Sequence, residues 1–186
     1  MASHNPDKIR EVEAVLSSLD EPFEVVDGLE WPEIDEPYET LEENARHKAR
    51  TVMHHTGLAA LADDTGLEVD ALDGAPGVRT ARFAGPEASY DDNVNRLLEV
   101  MEGAEARGAT FRTAVAIVYP GGTEITAVGA LPGRIARERR GSFGFGYDPV
   151  FEVEEYGFRT LAEIPEADKN RISHRARALQ ELAARL

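Results

Sequence analysis

Apolar residues recur along this chain at two spacings, and their alternation predicts interleaved helices and strands. Ile9, Val12, Leu16 and Leu19 form a helical stripe behind Asn5-Pro6, a capping residue followed by a first-turn proline. A short strand is expected at residues 23–26. Leu41, Ala45, Ala49 and Val52 predict a second helix, which feeds the apolar strand of residues 58–62. Val94, Leu97, Leu98 and Met101 mark a third helix. Phe111, Thr113, Val115, Ile117 and Tyr119 share one side of a strand. Pro120-Gly121-Gly122 then turns the chain, and residues 123–131 return as the hairpin partner. Ile172, Ala176, Leu179, Leu182 and Leu186 predict a closing amphipathic helix. The expected class is α/β, a mixed central sheet flanked by helices, in one domain over residues 1–186.

That length suffices for one good core or for two lobes sharing a sheet. The longest clearly apolar run is residues 58–62, so a membrane span and a secretory segment are not expected, and a cytoplasmic protein is. The sequence has no cysteine, which excludes a disulfide framework, a thiolate metal ligand and a thiol nucleophile. Asp and Glu outnumber Lys and Arg by 35 to 20, a net charge of −15. Such a surface repels polyanions, so nucleic acid is not an expected partner, and it suits high salt, where self-repulsion is screened. Only three lysines are present, Lys8, Lys48 and Lys169, and where cations are scarce their placement carries information.

Three segments carry candidate chemistry. Asp63-Asp64 follows an apolar strand and precedes Thr65-Gly66, read as a turn. Neighbouring side chains diverge at a strand end, and hard divalent cations take one or two carboxylates together with substrate phosphates. In so acidic a chain an ordinary solvated turn is the alternative. Gly144-Phe145-Gly146-Tyr147-Asp148-Pro149 combines glycines that permit close backbone approach with two aromatics able to flank a flat base, or to fill a core. Ser173-His174-Arg175 opens the last helix with a good N-cap. Arg175 and Arg177 then sit in a first turn, where the helix dipole disfavours cations, which points to an anionic or acceptor ligand. Lys8 lies in the first turn of the first helix, where free amides favour phosphate. The opening turn at Ser3 to Lys8 has no strand before it, from which a start further upstream is expected.

Together these segments resemble the inosine triphosphate pyrophosphatase family, the Ham1/RdgB-like non-canonical purine NTP pyrophosphatases. Ser3-His4-Asn5-Pro6-Asp7-Lys8 is similar to the family's phosphate loop. Residues 62–85, ADDTGLEVDALDGAPGVRTARFAG, resemble its longest signature; GFGYDPVF (144–151) resembles its base-binding loop and KNRISHRARAL (169–179) its closing motif. The resemblance implies two lobes with a substrate cleft between them, a homodimer, and magnesium-dependent cleavage of ITP, dITP and XTP to the monophosphate and pyrophosphate. It implies Asp64 as principal magnesium ligand and proton acceptor, Glu33 as second metal carboxylate, and Asp63 in support. Ser3, Asn5, Lys8 and Thr65 would hold the triphosphate. Phe145, Gly146 and Tyr147 would enclose the base, Asp148, His174 and Arg175 would read its edge, and Lys169 would act in catalysis and substrate contact. The missing first strand, Arg79 in place of a common aromatic and a short segment at residues 36–43 depart from the family pattern.

The physical logic agrees with that implication. Water attacks the α-phosphorus in line, a carboxylate takes its proton, and fixed cations stabilise the leaving pyrophosphate. Arg175 has only donors, so it suits the six-carbonyl of hypoxanthine or xanthine and not adenine's amino group. Guanine shares that carbonyl, so its two-amino group must be rejected elsewhere. The rival readings are a purine nucleotide-binding module without hydrolysis, which has no need of the aspartate pair, and a phosphatase releasing orthophosphate.

Overall fold

The computed structural model describes residues 1–3, 5–17, 26 and 29–186. Five helices are present among them, α1 (Pro6–Leu16), α2 (Leu41–Thr56), α3 (Tyr90–Val100), α4 (Glu166–Ile172) and α5 (His174–Ala183). The strands are β1 (Ala60–Val69), β2 (Pro76–Gly77), β3 (Gly108–Val118), β4 (Glu124–Ile135), β5 (Phe151–Val153) and β6 (Arg159–Thr160), in one sheet of order β2-β1-β3-β4-β5-β6. β1 pairs antiparallel with β2 (Leu67 opposite Gly77), β4 with β5 (Ile135 opposite Phe151) and β5 with β6 (Glu152 opposite Thr160). The α/β class is as expected, and the six strands form one antiparallel sheet. The strand expected at residues 23–26 and the stripe position Leu19 lie outside the described residues, Val26 excepted. No helix among the described residues is long and apolar enough to cross a membrane.

The chain divides into two compact units. The first comprises Met1–Thr65, Thr113–Ala130 and Ser173–Leu186; the second comprises Gly66–Arg112 and Leu131–Ile172. In the first, Val12 and Val15 of α1, Val115 and Ile117 of β3, and Leu179 and Leu182 of α5 form the core. Gly129 of β4 brings α5 into direct backbone contact: a Cβ there would lie 2.2 Å from the His174 carbonyl oxygen and 2.3 Å from the Ala178 nitrogen. In the second unit, Leu67, Leu97, Met101, Phe111, Phe151 and Ile164 anchor the core.

Two elements differ from the pattern. The strand expected to end before Asp63 runs on to Val69, so Asp63, Asp64, Thr65 and Gly66 lie inside β1. Partners on both faces cover the carboxylates, so their charge does not end the strand. The closing helix is two helices: Ile172 ends α4 and packs in the second unit, while α5 restarts at a Ser173 cap that accepts from the Ala176 amide at 3.1 Å. One apolar period spans both because the interruption lasts a single residue.

Candidate active site

Neighbouring residues of a strand point to opposite faces, and β1 uses this to give two buried carboxylates different company. Asp63 lies 3.3 Å from Lys8 Nζ of α1 and accepts from Arg175 Nε of α5 at 3.2 Å. Asp64 accepts from Lys48 Nζ at 3.1 Å and Asn44 Nδ2 at 3.2 Å, both on α2. The two aspartates are 2% and 4% exposed. Local sequence explains each delivery. Asn5 caps α1 by accepting from the Asp7 and Lys8 amides, and the Asn5 amide donates to Ser3 Oγ at 3.2 Å. Thr40 caps α2, and one turn apart on its buried face Asn44 and Lys48 stand among Ala45, Ala49 and Val52. Ser173 caps α5 two residues before Arg175.

Burial pushes both carboxyls up, and compensation separates them. At Asp63 burial is outweighed by Lys8, then by Arg175 and Lys48 and by the Arg175 hydrogen bond, and the carboxyl lies well below the usual range. At Asp64 burial prevails over Lys48, Glu36 adds repulsion, and the pKa stands at about 6. Burial lowers the Lys48 pKa, but Asp64, Glu36 and Asp63 together raise it. Two carboxylates share one ammonium here, so the lysine stays charged while the more buried acid keeps its proton to a higher pH.

The consequence for stability has a sign. Folded Asp64 holds its proton more tightly than the unfolded chain, where a carboxyl titrates near about 4. Its ionisation therefore costs stability as pH rises through roughly 4 to 6, and the cost is constant above that window. Asp63 acts oppositely: its contribution is present above about pH 4 and is lost as pH falls towards its depressed value. In metal-free buffer, Asp64→Asn removes the first effect only. It is expected to melt higher than wild type at about pH 7.5, by up to about 3 kcal/mol, with the gap closing towards pH 4. Thermal melts in chelator that show a pH-independent gap would refute this account.

Hydroxyls extend the cluster. Thr65 Oγ1 lies 3.3 Å from Asp63 Oδ2 and 2.8 Å from Thr113 Oγ1, which in turn lies 2.6 Å from His174 Nδ1. Arg175 donates to Thr65 at 3.2 Å and also pairs with buried Glu11. In the second unit, Asp148 Oδ2 accepts from Lys169 Nζ at 2.9 Å and from the Phe145 amide at 3.0 Å. Lys169 Nζ stands 5.1 Å from the Phe145 ring centroid, and Tyr90 packs on the same ring at 5.8 Å. Gly144 and Gly146 take positive φ of 73° and 62°, and a Cβ at Gly144 would lie 2.0 Å from Asp148 Oδ2.

Several expected residues take other places. Glu33 is exposed on an irregular segment, and the carboxylate of that segment that joins the cluster is Glu36, 2.6 Å from Lys48 Nζ. Several acids crowd residues 30–43, and local spacing does not say which turns inward; the pairing with Lys48 does. Tyr147, expected to flank a base, is buried in the second unit's core, and its hydroxyl donates to the Thr80 carbonyl at 3.0 Å. Arg175, expected at a base edge, is 2% exposed with its guanidinium on Asp63, Glu11 and Thr65. Lys48, Asn44, Glu11, Glu36 and Thr113 were not singled out by sequence. A signal existed for Lys48 and Asn44, as polar residues on the apolar face of α2, and Lys48 is one of only three lysines.

Among the described residues no ready-made cage of three or more metal-ligating side chains exists. The donor set nevertheless fits a hard divalent cation that keeps other ligands. The Lys48 ammonium bridges Asp64 and Glu36 as a cation would, and Asp63 Oδ1 is buried without a hydrogen-bond partner.

Known proteins share this arrangement of sequence. The profile of the Ham1 family matches residues 1–185. A protein of Methylococcus capsulatus named dITP/XTP pyrophosphatase is 48% identical, with 100% of this chain and 94% of the relative covered. One of the same name from Geobacter sulfurreducens is 47% identical over 96% of this chain and 91% of its own length. The structure of a HAM1 protein from Coxiella burnetii superposes with a TM-score of 0.83 at 38% identity, covering 98% of this chain and 94% of that one. With nearly its whole length matched in this way, the chain belongs to the Ham1 family.

Proposed function

We propose that this protein is a metal-dependent nucleoside triphosphate pyrophosphatase that converts dITP, XTP and ITP to the monophosphate and pyrophosphate, removing non-canonical purines from the nucleotide pool. The names of its relatives support the reaction class and the substrates dITP and XTP. The observation that carries the reading is the pair of buried neighbours on β1, with Asp63 held by Lys8 and Arg175 and Asp64 by Lys48 and Asn44.

Asp64, buried beside Lys48 and Asn44, is then the proton acceptor for the attacking water. Asp63 stays anionic and orients Lys8 and Arg175. Lys8 brings positive charge to the first turn of α1, beside Ser3 and Asn5, where phosphate is favoured. Magnesium, held by Asp64 and Glu36, would supply neutralisation of phosphate oxygens. Lys48, which those two carboxylates share, is the further cation for the phosphates. In the second unit, Phe145 offers a ring face, and the Asp148–Lys169 pair offers an acceptor and a donor of the kind a purine edge takes. The resemblance further implies a cytoplasmic homodimer, for which size-exclusion chromatography is the test.

Incubation with dITP or XTP and magnesium tests the reading: pyrophosphate is expected, whereas orthophosphate or no product would overturn it. Lys169→Ala is expected to lower turnover by about 100-fold, as for loss of one charge-stabilising donor. A loss of only a few-fold in steady-state assays would make Lys169 a support for Asp148 alone.

A further inference from the structure

Tyr90, Val94 and Leu97 stand at helical spacing on one face of α3. Val94 and Leu97 enter the core of the second unit, whereas Tyr90, one turn nearer the helix start, lies past its edge and is 43% exposed. What it covers there is a second ring. Tyr90 packs on Phe145 with ring centroids 5.8 Å apart and planes inclined by 36°. Phe145 sits on a loop between Gly144 and Gly146, both at positive φ, and is outside the core cluster that takes its neighbour Tyr147.

Local structure fixes where the two rings stand, and all of it lies within the second unit. The Asp92 amide donates to Ser89 Oγ at 3.1 Å, and the Ser89 amide donates to Asp92 Oδ2 at 2.9 Å. This reciprocal cap sets the first turn of α3, and with it the direction of the Tyr90 side chain. Arg139 ties that turn to the segment leading into the Phe145 loop. Its guanidinium pairs with the Asp91 carboxylate and donates to the Asp91 carbonyl and to Asn95 Oδ1, both at 2.9 Å. The loop is seated on its own side as well. The Ser142 and Phe143 amides donate to the Ala162 carbonyl at 2.9 and 3.0 Å, and the Phe145 amide donates to Asp148 Oδ2 at 3.0 Å.

We propose that Tyr90 is a positioning residue that, by packing against Phe145, holds that ring as the platform on which the purine stacks. The proposal rests on the pyrophosphatase reading and deepens it, since the second aromatic of the base site becomes Tyr90 in place of Tyr147. Lys169 Nζ stands 5.1 Å from the Phe145 centroid and pairs with Asp148, so a base stacked on this ring has a donor and an acceptor beside it. A ring that wanders loses both the stack and its register with that pair. The tyrosine acts through its ring, so its hydroxyl is dispensable. Its loss should fall on the base and not on the phosphates, which Lys8 and Lys48 serve.

Calorimetric binding and steady-state kinetics of the full-length protein test this. Tyr90→Ala should raise the Kd for dIMP and the KM for dITP about three- to tenfold, the scale of one aromatic pair, with kcat changed less. The Kd for tripolyphosphate should stay at the wild-type value. Tyr90→Phe should restore dIMP binding and KM, and Tyr90→Leu, which keeps an apolar stem without the ring, should weaken dIMP as alanine does. Four results would each overturn the proposal: dIMP binding by Tyr90→Ala equal to wild type, an equal loss for tripolyphosphate, a phenylalanine variant as weak as the alanine one, or no saturable dIMP binding by wild type. Binding of dIMP needs no turnover, so absence of pyrophosphate release from dITP would sink the pyrophosphatase reading while the platform still stood or fell on the dissociation constants.

Discussion

Asp64→Asn is expected to abolish pyrophosphate release from dITP, by about 10²- to 10⁴-fold or more, while the protein still folds. The amide keeps the shape of the side chain and its bond from Asn44 or Lys48, so β1 and α2 stay in place. What it loses is proton affinity and negative charge, the two properties that the base and the metal ligand both require. Because burial dominates the environment of Asp64, the variant should also be no less stable than wild type near neutral pH. Turnover near wild type in a well-folded variant would remove Asp64 from catalysis and shift attention to Asp63.

Removal of Arg175 should have the largest structural effect. Its guanidinium is the shared partner of Asp63 and Glu11, which are 2% and 4% exposed, and it also donates to Thr65. Arg175→Ala leaves buried carboxylates short of a partner, a change that costs about 3–5 kcal/mol. For a chain of this size that is roughly 6–20 °C in melting temperature. Arg175→Lys should recover little, because a single ammonium cannot reach three acceptors in the geometry of a planar fork. Melting like wild type combined with a lost preference for dITP over dATP would return Arg175 to the base edge and refute its place in the carboxylate network.

These two residues illustrate what was legible before folding. Asp64 stood out because an aspartate pair behind an apolar strand is a local pattern, and its chemistry depends on residue type. The α2 stripe, the β3 alternation, the hairpin turn and the Ser173 cap were legible for the same reason. Arg175 was noticed by its unfavourable position in a first turn, and the anomaly was real. Its explanation was not local: Glu11 lies 164 residues away in sequence, and no spacing rule links the two. Tyr147 shows the converse. Its motif neighbours Phe145 and Asp148 form a polar and aromatic cluster, yet Tyr147 itself turns into the core, since side chains on a loop of positive-φ glycines follow no simple period.

From the order of its residues alone, this chain was bound to alternate helices and strands, to do without thiol chemistry, and to carry carboxylates and scarce lysines in the motif order of one enzyme family. Periodicity and residue chemistry are properties of neighbours, so they survive without a fold. Which charges meet was decided in three dimensions: Glu36 with Lys48 rather than Glu33, Arg175 with Glu11 and Asp63, and Thr113 with His174. Those pairings depend on which helix covers which face of β1, and buried charges accept only partners that packing brings within a few ångströms.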